Sequence, residues 1–436
     1  MERIEFAART DVGRKRDQNE DNFLVDRELG LFIVCDGMGG HASGEIASAL
    51  AVRTVHEEIK KERALVDGYV AGKKGGDLVT KRDVLNMLEF AVNRASSQAH
   101  AEAASDGKKR GMGTTIVLLL ALGSQAFVVH VGDSRLYLLR DGLLDQITED
   151  HNVHNELIRR KKMSRGQAEQ LAPKNAITRA VGVYEHCEPD GIVIDVAEGD
   201  RLLLCSDWLS QYFEEDLDGL STLFAGSDGE AAAQSLIDAA NERGGSDNIT
   251  ALVVTVGPAG AGEADRAQKL KLRRETLARM PLFRPLNERE LLRVLQVTDV
   301  VSYADGDVVM QEGEPGDALF IVLGGTVDVL RGDATLATLA PGEHVGEMAL
   351  TRSQPRSATV RSAGPSELMI TRRHELFEIL RSEHQLAVKL LWQFLGVLSD
   401  RLADTSRELG EARDALHAED ITQDIFADEE FEDEDR

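Results

Sequence analysis

Cysteine is scarce: Cys35, Cys187 and Cys205 are the only three in 436 residues. They are widely spaced and odd in number, which excludes a disulfide framework and predicts a reducing, cytoplasmic location. Long hydrophobic runs are also missing. The longest, residues 116–122, is far too short to span a bilayer, and the opening MERIEFAARTDVGRKRD has no apolar core of a secretory leader. Basic residues are in deficit, with 50 Lys and Arg against 76 Asp and Glu and a formal net charge of -26. Nucleic acid and anionic membrane are therefore not expected as partners, because both repel such a chain over a Debye length. Metal cations and basic protein segments match it better. The regularly spaced His and Cys ligands that zinc prefers are absent as well.

Length and a hydrophobic content of 42% allow two or three domains with sizeable cores. Up to residue 256, short apolar runs read as strands: LFIVC, TIVLLLAL, AFVVHV, RLYLL, RLLLC and NITALVVTV. EIASALAVRTVHEEIKKE and RDVLNMLEFAVNRASSQAHAEAA carry apolar residues three and four apart and predict long amphipathic helices, joined by a flexible GKKGGD loop. Strands in runs with helices set apart indicate α+β layers over residues 1–256. The Gly/Ala/Pro-rich segment 257–272 reads as a linker. Residues 273–404 then open with helical AQKLKLRRETLARMPLF and NERELLRVLQV. About eight short strands follow, punctuated by turns such as ADGD, GEPGD and LGGT, which indicates a small sandwich or barrel. The chain is helical again from 373 to about 409. Residues 405–436 are predicted to extend that helix and end in a disordered acidic tail, EDITQDIFADEEFEDEDR.

Chemistry concentrates in acidic residues at strand ends. LFIVCDGMGGHASGE delivers Asp36 to the edge of a hydrophobic core, where an unpaired carboxylate is costly and calls for a positive partner. Asp207 follows RLLLC in the same way, and Glu20, Asp21, Asp133 and Asp247 sit in NED, VGDSR and GGSDNIT. Taken singly, each has an ordinary explanation as a turn, cap or surface residue. Together they offer the oxygen ligands that Mn²⁺ and Mg²⁺ prefer. A pair of such ions can polarise a phosphoryl oxygen and supply a nucleophile at neutral pH, which makes phosphate-ester hydrolysis the natural chemistry.

The ordered set GRKRDQNED, DGMGGHASGEIAS, GMGTT, VGDSR, TEDH, CSDW and GGSDNIT resembles the bacterial branch of the type-2C metal-dependent protein phosphatases, over nearly all of residues 1–256. The resemblance implies a four-layer α-β-β-α sandwich with metals between two central sheets. It implies that Asp36 bridges two Mn²⁺ or Mg²⁺ ions, that the Gly37 carbonyl joins the first, and that Asp207 and Asp247 hold the second. Asp133 would help bind a weaker third ion. Glu20 and Asp21 would act through metal-bound waters, and Arg16 would hold the substrate phosphate, as a forked guanidinium can. Gly37, Gly39 and Gly40 would let the backbone turn and approach the metals. His41 reads as a loop or helix-start residue, with proton donation to the leaving alcohol as its alternative role. The sequence departs from the family at Trp208, where Gly usually follows the aspartate. If that backbone needs a positive φ, Trp208 is strained and displaces Asp207. Cys35 and Cys205 read as buried packing residues.

In GEHVGEMALTRSQPRSATV, Gly, Glu347 and, nine residues on, Arg356 before small residues can cradle a cyclic phosphate. Taken alone the pair also fits a surface salt bridge. Residues 280–404 resemble cyclic-nucleotide-binding domains, a β-roll or jelly roll with flanking helices, whose phosphate-binding cassette falls at 346–360. The resemblance implies Glu347 on the ribose hydroxyl, Arg356 on the cyclic phosphate, and Gly346, Ala349 and Ser357 in backbone or hydroxyl contacts. Ala358 stands where cGMP-selective members often carry Thr, so cAMP is favoured over cGMP. The stripe in HQLAVKLLWQFLGVLSDRLAD fits a moving lid, core packing or dimer pairing.

The whole reads as a metal-dependent serine/threonine phosphatase acting on phosphorylated proteins and regulated by a cyclic nucleotide. The rivals are a signalling scaffold whose metal site Trp208 has spoiled, and a phosphatase whose second domain binds no nucleotide.

Overall fold

The computed structural model describes residues 4–39, 43–71, 79–161, 165–171, 176–226, 228–257, 274–332, 334–351 and 354–429. The GKKGGD loop, Gly40, His41, all of the linker after Gly257 and residues 430–436 lie outside them. The chain forms two compact units. The first comprises residues 1–275 with 287–301 and 369–372, and the second comprises 276–286, 302–368 and 373–436.

In the first unit, the strands β1 (Ile4–Asp11), β2 (Asn22–Asp26), β3 (Leu31–Cys35), β4 (Gly37–Met38), β5 (Gly113–Thr114), β6 (Ile116–Leu122), β7 (Gln125–Val131), β8 (Arg135–Arg140), β9 (Leu143–Gln146), β10 (Asp190–Asp195), β11 (Arg201–Cys205) and β12 (Ile249–Val256) alternate with helices. These are α1 (Ser43–Lys61), α2 (Arg63–Ala71), α3 (Lys81–Ser105), α4 (Val153–Lys161), α5 (Arg165–Glu169), α6 (Asp207–Gln211), α7 (Leu217–Phe224) and α8 (Gly229–Glu242). Two five-stranded antiparallel sheets result, in the orders β1-β12-β11-β8-β9 and β10-β7-β6-β3-β2.

The four layers follow from the period of two along each strand. In β3, Leu31, Ile33 and Cys35 pack with Val55 and Ile59 of α1 and Leu88 and Val92 of α3. Phe32 and Val34 point the other way and join Leu202, Leu204 and Leu252 between the sheets. On the second sheet's partner, Leu203 and Cys205 of β11 face Phe224 of α7 and Leu236 of α8. Strands buried on both faces read as continuous apolar runs, which is why LFIVC and RLLLC show no alternation. Each fully buried Leu, Val or Ile contributes about 2 kcal/mol. A capping box between Thr80 and Asp83 starts α3.

The helix Glu288–Gln296, opened by a second capping box between Asn287 and Glu290, also belongs to the first unit. Its Leu292 joins the core between the sheets, and Arg293 Nη1 donates to the carbonyl of Gly191 in β10 at 2.5 Å.

In the second unit, strands Val308–Met310, Thr359–Ser362, Val327–Arg331 and Ala334–Leu339 form one sheet in that order. Ala318–Gly324 pairs with His344–Val345, and Pro315–Gly316 with Gln354–Pro355. Helices Arg373–Ser382 and His384–Glu429 follow. The last helix runs to Glu429, through most of the stretch expected to be disordered, because Ala, Leu, Glu and Arg dominate it and all favour helix. Leu386 and Leu390 at its start are buried, whereas Val388, Leu391, Trp392, Leu395 and Leu402 are exposed, so core packing accounts for only part of its stripe. Among the described residues no helix is long and apolar enough to cross a membrane.

Candidate active site and nucleotide cassette

β3 and β11 end beside each other across the sandwich, and each is followed by its aspartate. The backbone of Asp36 is clamped by the GMGTT segment: its N–H donates to Thr115 Oγ1 at 3.0 Å, and its carbonyl accepts from Thr115 N and Thr114 Oγ1 at 2.9 and 2.8 Å. Gly37 N–H donates to the Glu20 carbonyl at 3.2 Å. A Cβ on Gly37 would lie 2.2 Å from Gly44 O and 2.6 Å from Glu20 O, so close packing, not a left-handed turn, demands this glycine. Asp207 is the first residue of α6. Its Oδ2 accepts from Gln211 Nε2 at 2.7 Å.

Asp21 is buried between these two. Thr250 Oγ1 donates to its Oδ2 at 2.6 Å, and Thr250 N–H donates in turn to Ser206 Oγ at 2.9 Å. Among the described residues, Asp21 Oδ1 and Asp207 Oδ1 are buried with no hydrogen-bond partner. Loss of hydration pushes Asp21 up to about 6. It also raises Asp36 and Asp207 well above the carboxylate range, with repulsion from Asp21 and Asp207 adding to it at Asp36 and repulsion from Asp133 and Asp21 adding to it at Asp207. Asp133 comes up to about 7 through burial and the nearby Asp150, against the pull of Arg135. A cation entering among these groups would favour their charged forms and offset the repulsion between them. Orphaned oxygens on hard acidic ligands are what Mn²⁺ or Mg²⁺ would bind, so the residues fit the metals.

The other predicted residues stand around this centre. Arg16, exposed, donates to Asp247 Oδ2 at 2.5 Å. Glu20 is raised by loss of hydration, partly offset by the Gly44 N–H at the start of α1. Cys35 and Cys205 are buried packing residues, and burial pushes the Cys205 thiol up to about 12.

Trp208 is not strained. It sits inside α6, and among the described residues Asp141 is the only non-glycine with positive φ. The strain that motivated the scaffold reading is therefore absent, because a helix has started by this position.

Sequence reasoning assigned no role to TEDH, and the fold supplies one. Arg135 Nε and Nη2 bind Asp150 at 2.9 and 2.7 Å, and Nη2 also reaches Glu214 at 2.8 Å. Gly132 N–H donates to His151 Nδ1 at 3.2 Å, so TEDH fixes the VGDSR turn that carries Asp133. Nearby, ligand atoms of His130, His151 and Asp190 lie within 4.8 Å of one another. Arg179 Nη1 stands 3.0 Å from Asp190 and 3.3 Å from His151 Nε2, so a guanidinium already provides the positive charge there. The spacing in sequence could not have found either network.

In the second unit, Gly346 has φ +87°, and a Cβ on it would lie 2.6 Å from Arg356 Nη1. A Cβ on Gly316 would meet the same guanidinium. Arg356 Nη2 donates to the carbonyl of Ala318 at 2.9 Å, and the guanidinium stands 5.5 Å from the Phe320 ring centre. Burial lowers Arg356, offset by the charges of Asp317 and Glu347. Glu347, Ala349 and Ala358 are buried, whereas Ser357 is exposed. Gly316, Asp317, Ala318 and Phe320 were missed in the sequence because they precede the cassette by some thirty residues.

A four-layer sandwich with buried carboxylates at the ends of its central strands defines a metal-dependent phosphatase. The chain belongs to the protein phosphatase 2C family, whose pattern matches residues 13–239, and a cyclic nucleotide-binding domain pattern matches residues 300–383. It is 36% identical over 254 residues to the serine/threonine phosphatase stp of Listeria innocua serovar 6a, covering 56% of this chain and 93% of that protein. It is 35% identical over 255 residues to the serine/threonine protein phosphatase PstP of Mycobacterium tuberculosis, covering 58% and 45% respectively. The crystal structure of the M. tuberculosis serine/threonine phosphatase PstP/Ppp aligns with a TM-score of 0.50 at 33% identity, over 59% of this chain and 100% of that one.

Proposed function

We propose that this protein hydrolyses phosphoserine and phosphothreonine in proteins with two Mn²⁺ or Mg²⁺ ions, and that cyclic nucleotide bound to the second unit sets its rate. The observation that carries the catalytic reading is the group Asp21, Asp36 and Asp207, with two buried oxygens unpartnered among the described residues. Asp36, the Gly37 carbonyl, Asp207 and Asp247 would hold the two ions, Asp133 a weaker third. When bound, the ions supply Lewis acidity and a water activated at neutral pH. Arg16 exchanges Asp247 for the substrate phosphate, whose oxygens its two-pronged donor set matches. Glu20 and Asp21 orient water, with Asp21 held in place by Thr250.

For the second unit, the support is Arg356 turned toward Gly346 and Gly316, where only glycines leave room for it. A cyclic phosphate would replace the Ala318 carbonyl as its partner, Glu347 would take the ribose hydroxyl, and Gly346, Ala349 and Ser357 would complete the cradle. Ala358 favours cAMP over cGMP. Coupling requires that the nucleotide bind two arrangements of the chain with different affinity.

The test is Mn²⁺-dependent dephosphorylation of a phosphothreonine peptide by the full chain, with and without saturating cAMP, alongside Arg356→Ala. A rate that responds to cAMP in the parent but not in the variant is expected. Turnover indifferent to cAMP and cGMP in both proteins removes the regulatory part, and absence of metal-dependent turnover removes the whole.

A further inference from the structure

Residues 14–16 lie along the loop 245–247 one for one. Arg14 N–H donates to the Gly245 carbonyl at 2.6 Å, Lys15 Nζ to Ser246 Oγ at 3.3 Å, and Arg16 Nη2 to Asp247 Oδ2 at 2.5 Å. From the opposite side, Ser246 N–H donates to Tyr212 OH at 2.9 Å, and the Tyr212 ring lies 6.0 Å from that of Trp208, tilted by 53°. Glycines keep the loop thin enough for both neighbours. A Cβ on Gly245 would fall 2.7 Å from Arg14 Cγ, and one on Gly244 would fall 3.3 Å from Tyr212 OH.

The result is one continuous surface beside the carboxylates. Arg14 and Lys15, both exposed, stand at one end, the Ser246 backbone crosses the middle, and half-buried Tyr212 and Trp208 stand at the other. Trp208 directly follows Asp207, and Lys15 directly precedes Arg16, so both ends flank groups that face the phosphate. Neither Arg14, Lys15, Tyr212 nor Trp208 has a part in the hydrolysis itself.

Resting on the phosphatase reading above, we propose that this surface reads the residues flanking the phosphorylated side chain. It selects an acidic residue on the Arg14–Lys15 side and an apolar or aromatic residue on the Trp208–Tyr212 side. Residues 14–16 are three consecutive cations in a chain of net charge -26, and at this edge they draw an acidic peptide that the net charge of the chain repels. Two adjacent rings present a large contact area that loses little conformational freedom on binding. An extended peptide advances about 3.3 Å per residue, and Lys15 and Trp208 each adjoin a site residue in sequence, so the positions read are those immediately flanking the phosphorylated residue.

The test uses four phosphothreonine peptides with acidic-and-apolar, acidic-only, apolar-only or Gly/Ser flanks. Their kcat/KM is measured with Mn²⁺ on the full chain and on Trp208→Gly and Lys15→Glu, with p-nitrophenyl phosphate as a flank-free control. The doubly matched peptide should exceed the Gly/Ser peptide on the order of tenfold. Trp208→Gly should abolish the apolar preference alone, and Lys15→Glu the acidic preference alone, with p-nitrophenyl phosphate turnover within about twofold of the parent. A flat peptide ranking in a protein that turns over p-nitrophenyl phosphate overturns the proposal and leaves the phosphatase intact. If nothing turns over, the catalytic reading falls, and fluorescence anisotropy of the same labelled peptides still decides this one. The same ranking of affinities supports the flank reading, and equal affinities overturn it.

Discussion

The two candidate sites are built with opposite charge. In the first unit, strand ends bring Asp21, Asp36 and Asp207 together with more negative charge than the nearby donors can satisfy, and two oxygens stay orphaned. In the second unit, one half-buried arginine stands among small residues and donates to a backbone carbonyl, and Asp317 and Glu347 sustain its charge. The first arrangement is incomplete without a cation. In the second, the arginine is already engaged by a backbone carbonyl and admits an anion by exchange. The difference teaches that ligand charge can be read from which group is left uncompensated, and that a metal site holds its strain in the apo state whereas a phosphate cradle does not.

The largest effect that would break this comparison is at Asp36. Asp36→Asn should lower Mn²⁺-dependent kcat by at least about a hundredfold, measured on p-nitrophenyl phosphate. The same variant should raise the thermal midpoint of metal-free protein, because it removes one of the repelling charges. Next is Arg356→Ala, expected to weaken cAMP binding by about a hundredfold in calorimetry, with no rise in stability.

The pH dependence sharpens the contrast. Asp21 and Asp133 titrate at about 6 and about 7 in the folded protein against 3.8 otherwise. Between these limits the folded state binds more protons than the unfolded, so metal-free stability should fall as pH rises from about 4 to about 7. Added Mn²⁺ should recover it at pH 7, and a chemical denaturation series at three pH values checks both statements. Smaller again is glycine replacement. Gly37→Ala, with backbone oxygens at 2.2 and 2.6 Å from the new Cβ, should cost about 2–3 kcal/mol. Gly346→Ala should cost about 1–2 kcal/mol from its left-handed backbone, the movable Arg356 side chain and the Ala318 carbonyl 2.8 Å from the new Cβ. Urea melts of the two variants rank them.

Much of the fold was legible because buried strands and amphipathic helices leave period signals. β3, β6, β7, β8, β11 and β12 coincide with apolar runs, and α1 and α3 with their stripes. β1, β2 and β10 were harder to see because their half-exposed positions dilute the pattern. The carboxylates were legible as residues following core strands. Their supporting hydroxyls, Thr115 and Thr250, were not, since a threonine in a strand looks like any other until its partner is known. Trp208 shows the limit in the other direction: a substitution that looked straining lies in a helix.

The sequence by itself determined the α+β class and the two matched families, and it proposed a chemical type for each site, because periodicity and ordered motifs are local properties of the chain. Only the tertiary structure decided which oxygens go unpartnered, that Asp150 and His151 support the turn carrying Asp133, and that residues 14–16 and Trp208 flank one loop. Those facts depend on groups distant in sequence meeting across a packed interior, 19 residues apart for Gly132 and His151 and 231 apart for Arg16 and Asp247, and no local pattern encodes such a meeting.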